Sequence, residues 1–300
     1  MTQGAALYDR LAVTALRLQG FQSHQIATSV GRVHVLRGTG RGNLPPVVLL
    51  HGFTSMGAHY IPLIPAVRPW VKELVLPDLP AHGLSEIPRE GVHPDRMRAG
   101  ITEALDKMID EPAVLFGNSM GGLAAVHYAL ARPEKVRGAI LCSPGGAPMT
   151  HDEIPHFTRR FRLQSHTEAL AFIDRVMARR SAMRSLLAWG VRRRMQVPHY
   201  RHLLASIRPE ELLAPEQLSA LKVPVMLLWG RGDRVLPSSH RDFFVKHLPR
   251  HTRVVEPHGV GHSPYLEDPR LVADHILDFL HDVDTRRLRA TARERVSARP

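Results

Sequence analysis

The chain has 300 residues, 44% of them hydrophobic and 23% charged, with a formal net charge of +12. These proportions suit a globular protein with a sizeable core, built as one large domain or two small ones. Its single cysteine, Cys142, excludes an intrachain disulfide, and no apolar run approaches the length needed to span a bilayer.

Other bulk properties narrow the reading further. Leu11–Leu18 is apolar but short, is broken by Arg17 and lacks a small-residue cleavage site after it, so a soluble, cytoplasmic protein is expected. The positive charge concentrates in two regions. Ten arginines and four acids lie between Thr150 and Val197, and six arginines and three acids lie from His281 to the end. Neither region interleaves aromatics for base stacking, so no specific nucleic-acid partner is expected.

In chain order, residues 1–20 carry Leu7, Leu11, Ala15 and Leu18 at helical spacing, which predicts an amphipathic helix packed on the domain edge through that stripe. A membrane-surface anchor is the alternative. Gln25–Val30 and Arg32–Arg37 read as a hairpin turning at Gly31. Gly38–Gly42 reads as a mobile polar loop. Pro46–Leu50 is a continuous apolar run, as in a strand covered on both faces. Strands are then expected at Leu74–Leu76, Ala113–Phe116, Val136–Cys142, Val223–Trp229 and Arg253–Glu256. Helices are expected at Pro94–Asp110, Met120–Arg132, Pro237–Leu248 and Pro269–Leu280. This alternation implies an α/β fold with a mostly parallel central sheet and helices on both faces.

One interval breaks the rhythm. Residues 145–220 contain no strand candidate, only helix-like segments rich in arginine, methionine and aromatics, including a Ser165/Glu168 capping box. The core is accordingly expected at 21–144 and 221–284, with 145–220 as an all-helical lid and 285–300 as a basic, disordered tail. Most apolar lid residues must pack the lid onto the core. Phe157, Phe161, Met177 and Trp189 are the candidates to line a substrate pocket. The lid arginines read mostly as a solvated face.

The chemistry centres on Gly117–Asn118–Ser119–Met120–Gly121. A buried strand leads into it and a helix leaves it, so Ser119 sits at a sharp turn that only glycines two residues away can accommodate. A serine hydroxyl needs a base to take its proton, and a histidine base needs an acid to orient it. Such groups belong in loops past strand ends. Asp233 follows the strand Val223–Trp229, and His262 follows Arg253–Glu256. The order Ser119, Asp233, His262 is one used by triads on such sheets. His258 is a weaker alternative base. His199 and His202, the nearest histidine pair, lack a clustered carboxylate, so neither metal nor cofactor is expected.

With His51–Gly52–Phe53, Asp78–Ser85 (DLPAHGLS), the serine turn, Gly230–Asp233 and Gly261–Pro269 (GHSPYLEDP) in this order, the chain resembles the α/β-hydrolase superfamily from about Val30 to Leu280, apart from the insertion. The resemblance implies that Ser119 attacks, His262 is base and then acid, and Asp233 orients it. It also implies an oxyanion hole formed by the backbone N–H groups of Phe53 and Met120, and mainly structural roles for Asp78, His51 and His82. The activity implied is hydrolysis of a small-molecule carboxylic ester, with small to medium apolar acyl groups expected. Carbon–carbon bond hydrolases share the Gly-Asn-Ser-Met-Gly-Gly turn but typically have Trp where Ser263 stands. Acyltransferases and cofactor-free peroxidases use the same triad, and a member that binds a ligand without turnover is a further alternative.

Overall fold

The computed structural model describes the backbone of residues 3–297 and the side chains of residues 7–285. Its first helix, α1 (Gln3–Leu18), buries a face other than the expected one. Ala12, Val13 and Leu16 pack inward beside the buried Asp9, whereas Leu7, Tyr8, Leu11 and Leu18 are exposed. The reason is electrostatic as well as steric. Asp9 pairs with Arg194, and that pair forms only if the Asp9 face turns inward; a buried carboxylate without a partner would be costly.

β1 (Gln22–Thr28) and β2 (Gly31–Thr39) make the antiparallel hairpin, with Thr28 opposite Gly31. Ser29 and Val30 therefore form the turn, and Gly31 opens the second strand instead of sitting at the apex. The glycine loop that follows is packed rather than loose: the Gly40 N–H donates to the Lys72 carbonyl (2.8 Å) and that of Gly42 to Val71 (3.2 Å).

Then come β3 (Val47–Leu50), α2 (Ile64–Val67), β4 (Glu73–Pro77), α3 (Pro94–Met108), β5 (Ala113–Asn118), α4 (Met120–Ala131) and β6 (Val136–Cys142). The helix α2 had no counterpart in the sequence reading. The insertion follows as α5 (Glu153–Arg159), α6 (His166–Val176), α7 (Arg184–Met195), α8 (Pro198–Ser206) and α9 (Pro215–Ser219). β7 (Val225–Leu228), α10 (Ser238–His247), β8 (Arg253–Val255), α11 (Pro264–Glu267) and α12 (Pro269–Ser297) complete the chain. α12 runs well past the expected end at Leu280. Residues 298–300, and the side chains beyond 285 on which the expected tail depends, lie outside the described residues.

The eight strands form one sheet in the order β1-β2-β4-β3-β5-β6-β7-β8. β1, β2 and β4 pair antiparallel, and every pairing from β4 to β8 is parallel. Alternation along the strands splits the core in two. Val48, Leu50 and Leu115 point into a layer with α3 and α4, while Val47, Leu49, Val114 and Phe116 point into one with α1, α2 and α12. β3 and β5 are buried on both sides, as their unbroken apolar runs require.

The two faces of α1 can be told apart by stability. Leu16→Ala, which empties a fully buried site, is expected to cost about 2–4 kcal/mol in urea denaturation. Leu18→Ala on the opposite face is expected to change it by less than about 0.5 kcal/mol.

Candidate active site

β5 ends at Asn118 and α4 begins at Met120, so Ser119 alone turns the chain. Its φ of 54° and ψ of −118° are conformations that cost a non-glycine residue on the order of 1–3 kcal/mol. Hydrogen bonds hold it there. The Ser119 N–H donates to the Cys142 carbonyl (3.0 Å), and the Ser119 carbonyl accepts from Gly122 (2.9 Å), Leu123 (3.2 Å) and Gly145 (2.9 Å). Gly121 lies directly against the Leu50 carbonyl and Gly117 against the Gly121 backbone, where a Cβ would overlap main chain.

His262 Nδ1 lies 2.8 Å from Asp233 Oδ2, and both side chains are buried. The other carboxylate oxygen, Oδ1, accepts from the N–H groups of Val235 (2.8 Å) and Leu236 (3.2 Å). Burial alone would raise the Asp233 pKa. The opposing pull of His262 and the two N–H donors outweighs it and holds the carboxyl below its ordinary range. His258, by contrast, is exposed.

Asn118 joins the serine turn to the histidine loop. Its Nδ2 donates to the His262 carbonyl (2.8 Å) and to the Cys142 carbonyl (3.1 Å), and its Oδ1 accepts from Ser263 Oγ (3.3 Å). The insertion is tied to both other loops. The His262 N–H donates to the Val176 carbonyl (2.7 Å) and the Arg234 N–H to that of Arg175 (3.1 Å). Glu267 accepts from Gly261 (2.6 Å) with one oxygen and from Ala178 (2.8 Å) and Arg179 (3.1 Å) with the other.

A second constellation looks similar and differs in one respect. Ser23 Oγ lies 2.8 Å from His34 Nε2, and His34 Nδ1 lies 2.8 Å from Asp78 Oδ2. Ser23 lines neither of the two cavities found beside Ser119. Asp78 is occupied by the N–H groups of Gly57 (2.7 Å) and Leu84 (2.8 Å). His51 bridges in the same region, accepting from Leu79 N–H through Nε2 (2.9 Å). Burial pushes the His51 pKa down to about 4, so its imidazole is neutral near neutral pH.

Two cavities meet at Ser119. The larger, about 440 Å³, is lined by Ser119, His262, Met177, Trp189 and the polar Ser55 and His59. The smaller, about 170 Å³, is lined mainly by apolar groups, including Met97, Leu123, Phe157, Leu203 and Leu236, with Arg98, His127, Glu211 and His240 also on its wall. Phe53 and Phe161 line both and stand edge to face, 5.9 Å apart. Met120 borders the smaller cavity, and as the first residue of α4 its N–H has no intrahelical acceptor. Gly52 packs against the Ser119 side chain, which brings the Phe53 backbone next to the serine. Among the described residues, no cluster of three or more His, Cys, Asp or Glu side chains could hold a metal ion.

A family model described as "alpha/beta hydrolase fold" matches residues 45–269. The chain belongs to the α/β-hydrolase fold family. Human monoacylglycerol lipase ABHD6 is 27% identical over 81% of this chain and 77% of its own length. The 2-hydroxy-6-oxo-6-phenylhexa-2,4-dienoate hydrolase of Burkholderia cepacia is 28% identical over 83% and 91%. The crystal structure of carboxylesterase CesB (YbfK) from Bacillus subtilis superposes with a TM-score of 0.72 at 21% identity, covering 92% of this chain and 98% of that one; this likeness speaks to the fold.

In this α/β-hydrolase the sequence reading missed Asn118, Arg234 and Glu267 as positioning groups. Asn118 stood inside the recognised turn, and Glu267 inside the GHSPYLEDP motif, but their partners lie in distant segments. The insertion's arginines are also less solvated than expected. Arg194 pairs with Asp9, Arg184 with Asp174, and Arg192 donates to the Gln164 carbonyl (2.7 Å).

Two outcomes are expected. Glu267→Ala leaves without an acceptor three N–H groups that now tie the histidine loop to the insertion, and should lower hydrolytic kcat by about tenfold or more. The Asp233 pair should also appear in pH-dependent stability. Its folded pKa is depressed, so its contribution is complete above the ordinary aspartate value of 3.8 and is lost as pH falls through the lower folded value. The stability gap between wild type and Asp233→Asn should therefore narrow as pH falls from about 5 towards about 2 in denaturant titrations.

Proposed function

We propose that this chain is a serine hydrolase that cleaves carboxylic esters through an acyl-enzyme. The observation that carries the reading is the 2.8 Å His262–Asp233 bond beside a strained Ser119, with Ser119 and His262 lining one cavity. In this mechanism Ser119 Oγ attacks the ester carbonyl as His262 Nε2 takes its proton. The Phe53 and Met120 N–H groups receive the developing oxyanion, a contribution typically worth about a hundred- to a thousandfold in rate per donor. His262 then returns the proton to the departing alkoxide, and water attacks the acyl-enzyme by the same route. Asp233, kept ionised, orients the imidazole and stabilises its charged form.

The two cavities suggest which end of the ester goes where. His262 lines only the larger one, and the leaving oxygen must come within reach of His262 to be protonated. The alcohol then occupies the larger cavity, where the Ser55 hydroxyl, held by His59 Nδ1 at 2.9 Å, offers a polar contact. The acyl chain occupies the smaller, mainly apolar one. At about 170 Å³ this branch is close to the roughly 150 Å³ of a cavity that accommodates benzene, which indicates an acyl group of about six carbons. A dienone acid, the substrate type of a carbon–carbon hydrolase, would bring a carboxylate into the larger cavity. Arg194 is the cation there, and Asp9 already neutralises it.

A p-nitrophenyl ester series from acetyl to palmitoyl tests this. Wild type should show an optimum between butanoyl and octanoyl, and Ser119→Ala should lose at least about a thousandfold in kcat/KM across the series. A monotonic decline from acetyl would refute the acyl branch. Equal activity in the variant would refute the nucleophile.

A further inference from the structure

Exposed large hydrophobic side chains are concentrated on one side of the molecule. Tyr8 (57% exposed), Met183 (55%), Leu186 (56%) and Trp189 (41%) all line the larger cavity as well, so they form its rim. α1 extends that rim. At 3.6 residues per turn, Leu7, Tyr8, Leu11, Ala15 and Leu18 fall on one helical face, and all five are exposed. α1 and α7 are held together by the buried Asp9–Arg194 pair, which His59 joins at 3.2 Å from Arg194. The apolar face of α1 and the mouth of the cavity therefore belong to one surface.

The charge on this surface is net positive. Asp9 is the single acid of α1 and is buried, and residues 177–195 contain six arginines and no Asp or Glu; of the six, Arg194 is paired with Asp9 and Arg184 with Asp174 of α6. Arg10 and Arg17 fall where the exposed apolar face of α1 meets the buried one, so their stems can lie along apolar surface while the guanidinium groups reach outward. Arg193 stacks over Trp189 at 4.7 Å. A patch of this kind on a lone protein in water is unfavourable and marks something that covers it. A second copy of the chain is a poor candidate. Two such faces brought together would oppose mostly arginines to arginines, with Asp174, already paired with Arg184, the half-exposed carboxylate beside them.

We propose that this face docks on an anionic lipid bilayer, with the cavity mouth turned towards the lipid. The leucines of α1 and the rim of α7 enter the headgroup boundary. Tyr8 and Trp189 sit at the depth where amphipathic rings are favoured, and the arginines meet lipid phosphates. The docking stands without the catalytic reading. If that reading holds, an ester dissolved in the bilayer could enter the larger cavity directly from the lipid.

Co-sedimentation with vesicles tests the docking. The probes are pure phosphatidylcholine vesicles and vesicles of three parts phosphatidylcholine to one part phosphatidylglycerol. The proteins are wild type and Leu7→Ser/Leu11→Ser/Leu18→Ser, whose changed side chains are exposed and lie outside both cavities. Circular dichroism and hydrolysis of soluble p-nitrophenyl butanoate report whether the variant is folded. Wild type should sediment with the anionic vesicles at least about tenfold more tightly than with the neutral ones, and about 0.5 M salt should reduce that binding. The triple variant should bind the anionic vesicles about tenfold or more weakly while its soluble-ester activity is unchanged. Wild type left in the supernatant, or a variant that binds as well as wild type, would overturn the proposal. So would a dimer seen by light scattering for wild type and lost in the variant, since a second copy would then cover the face. Because sedimentation is read without turnover, absence of esterase activity would count against the catalytic reading alone.

Discussion

The close approach of α4 to the end of β3 is the constraint on which the rest depends. Gly121 lies against the Leu50 carbonyl with no room for a Cβ, so the helix can begin one residue after the strand and Ser119 must take the strained turn. The strain is local, but what sustains it is not. The Ser119 N–H reaches the Cys142 carbonyl at the end of β6, and its own carbonyl receives Gly145 from the segment that leaves the sheet. A turn over-determined in this way holds its hydroxyl at the carboxyl edge of the sheet, where two neighbouring strand ends can deliver an acid and a base.

Those strand ends are joined by groups that take no part in proton transfer. Asn118 reaches from the serine turn to the His262 carbonyl, and Glu267 spans the histidine loop and the end of α6. The insertion is consequently more than a cover. Its residues 174–179 are hydrogen-bonded to the Asp233 loop through Arg234 and to the His262 loop through both Glu267 and the His262 N–H. A shift of α6 would pull on the His262 and Asp233 loops together, which couples the shape of the pocket to the placement of these two side chains.

Two histidine–aspartate pairs in the structure have the same 2.8 Å separation and different surroundings. Around His34 and Asp78, as around Asp233, the carboxylate also accepts two loop N–H groups, but Ser23 lines neither of the two cavities beside Ser119. Around His262 and Asp233, the imidazole lines a space large enough for a ligand, next to a serine at the mouth of a helix. Place in the fold distinguishes the two: only the second pair borders a cavity shared with a serine at the start of a helix.

The α/β class, the segments that become parallel strands, the sharp turn at Ser119 and the strand-end positions of Asp233 and His262 were legible from the sequence. These features rest on local signals: unbroken apolar runs, glycines where backbones touch, and polar residues just past strand ends. Other features were set by partners far away in the chain. The packed face of α1 depended on Asp9 meeting Arg194, 185 residues later. The same pairing converted an apparent surface arginine into a staple and left a leucine stripe in water. Glu267 looked like an ordinary motif position until the fold brought the 178–179 backbone to it, and the division of the pocket at Phe53 and Phe161 arose from two segments meeting edge to face. Periodicity encodes that a helix has two faces; which one is buried is decided by what the rest of the chain places against it.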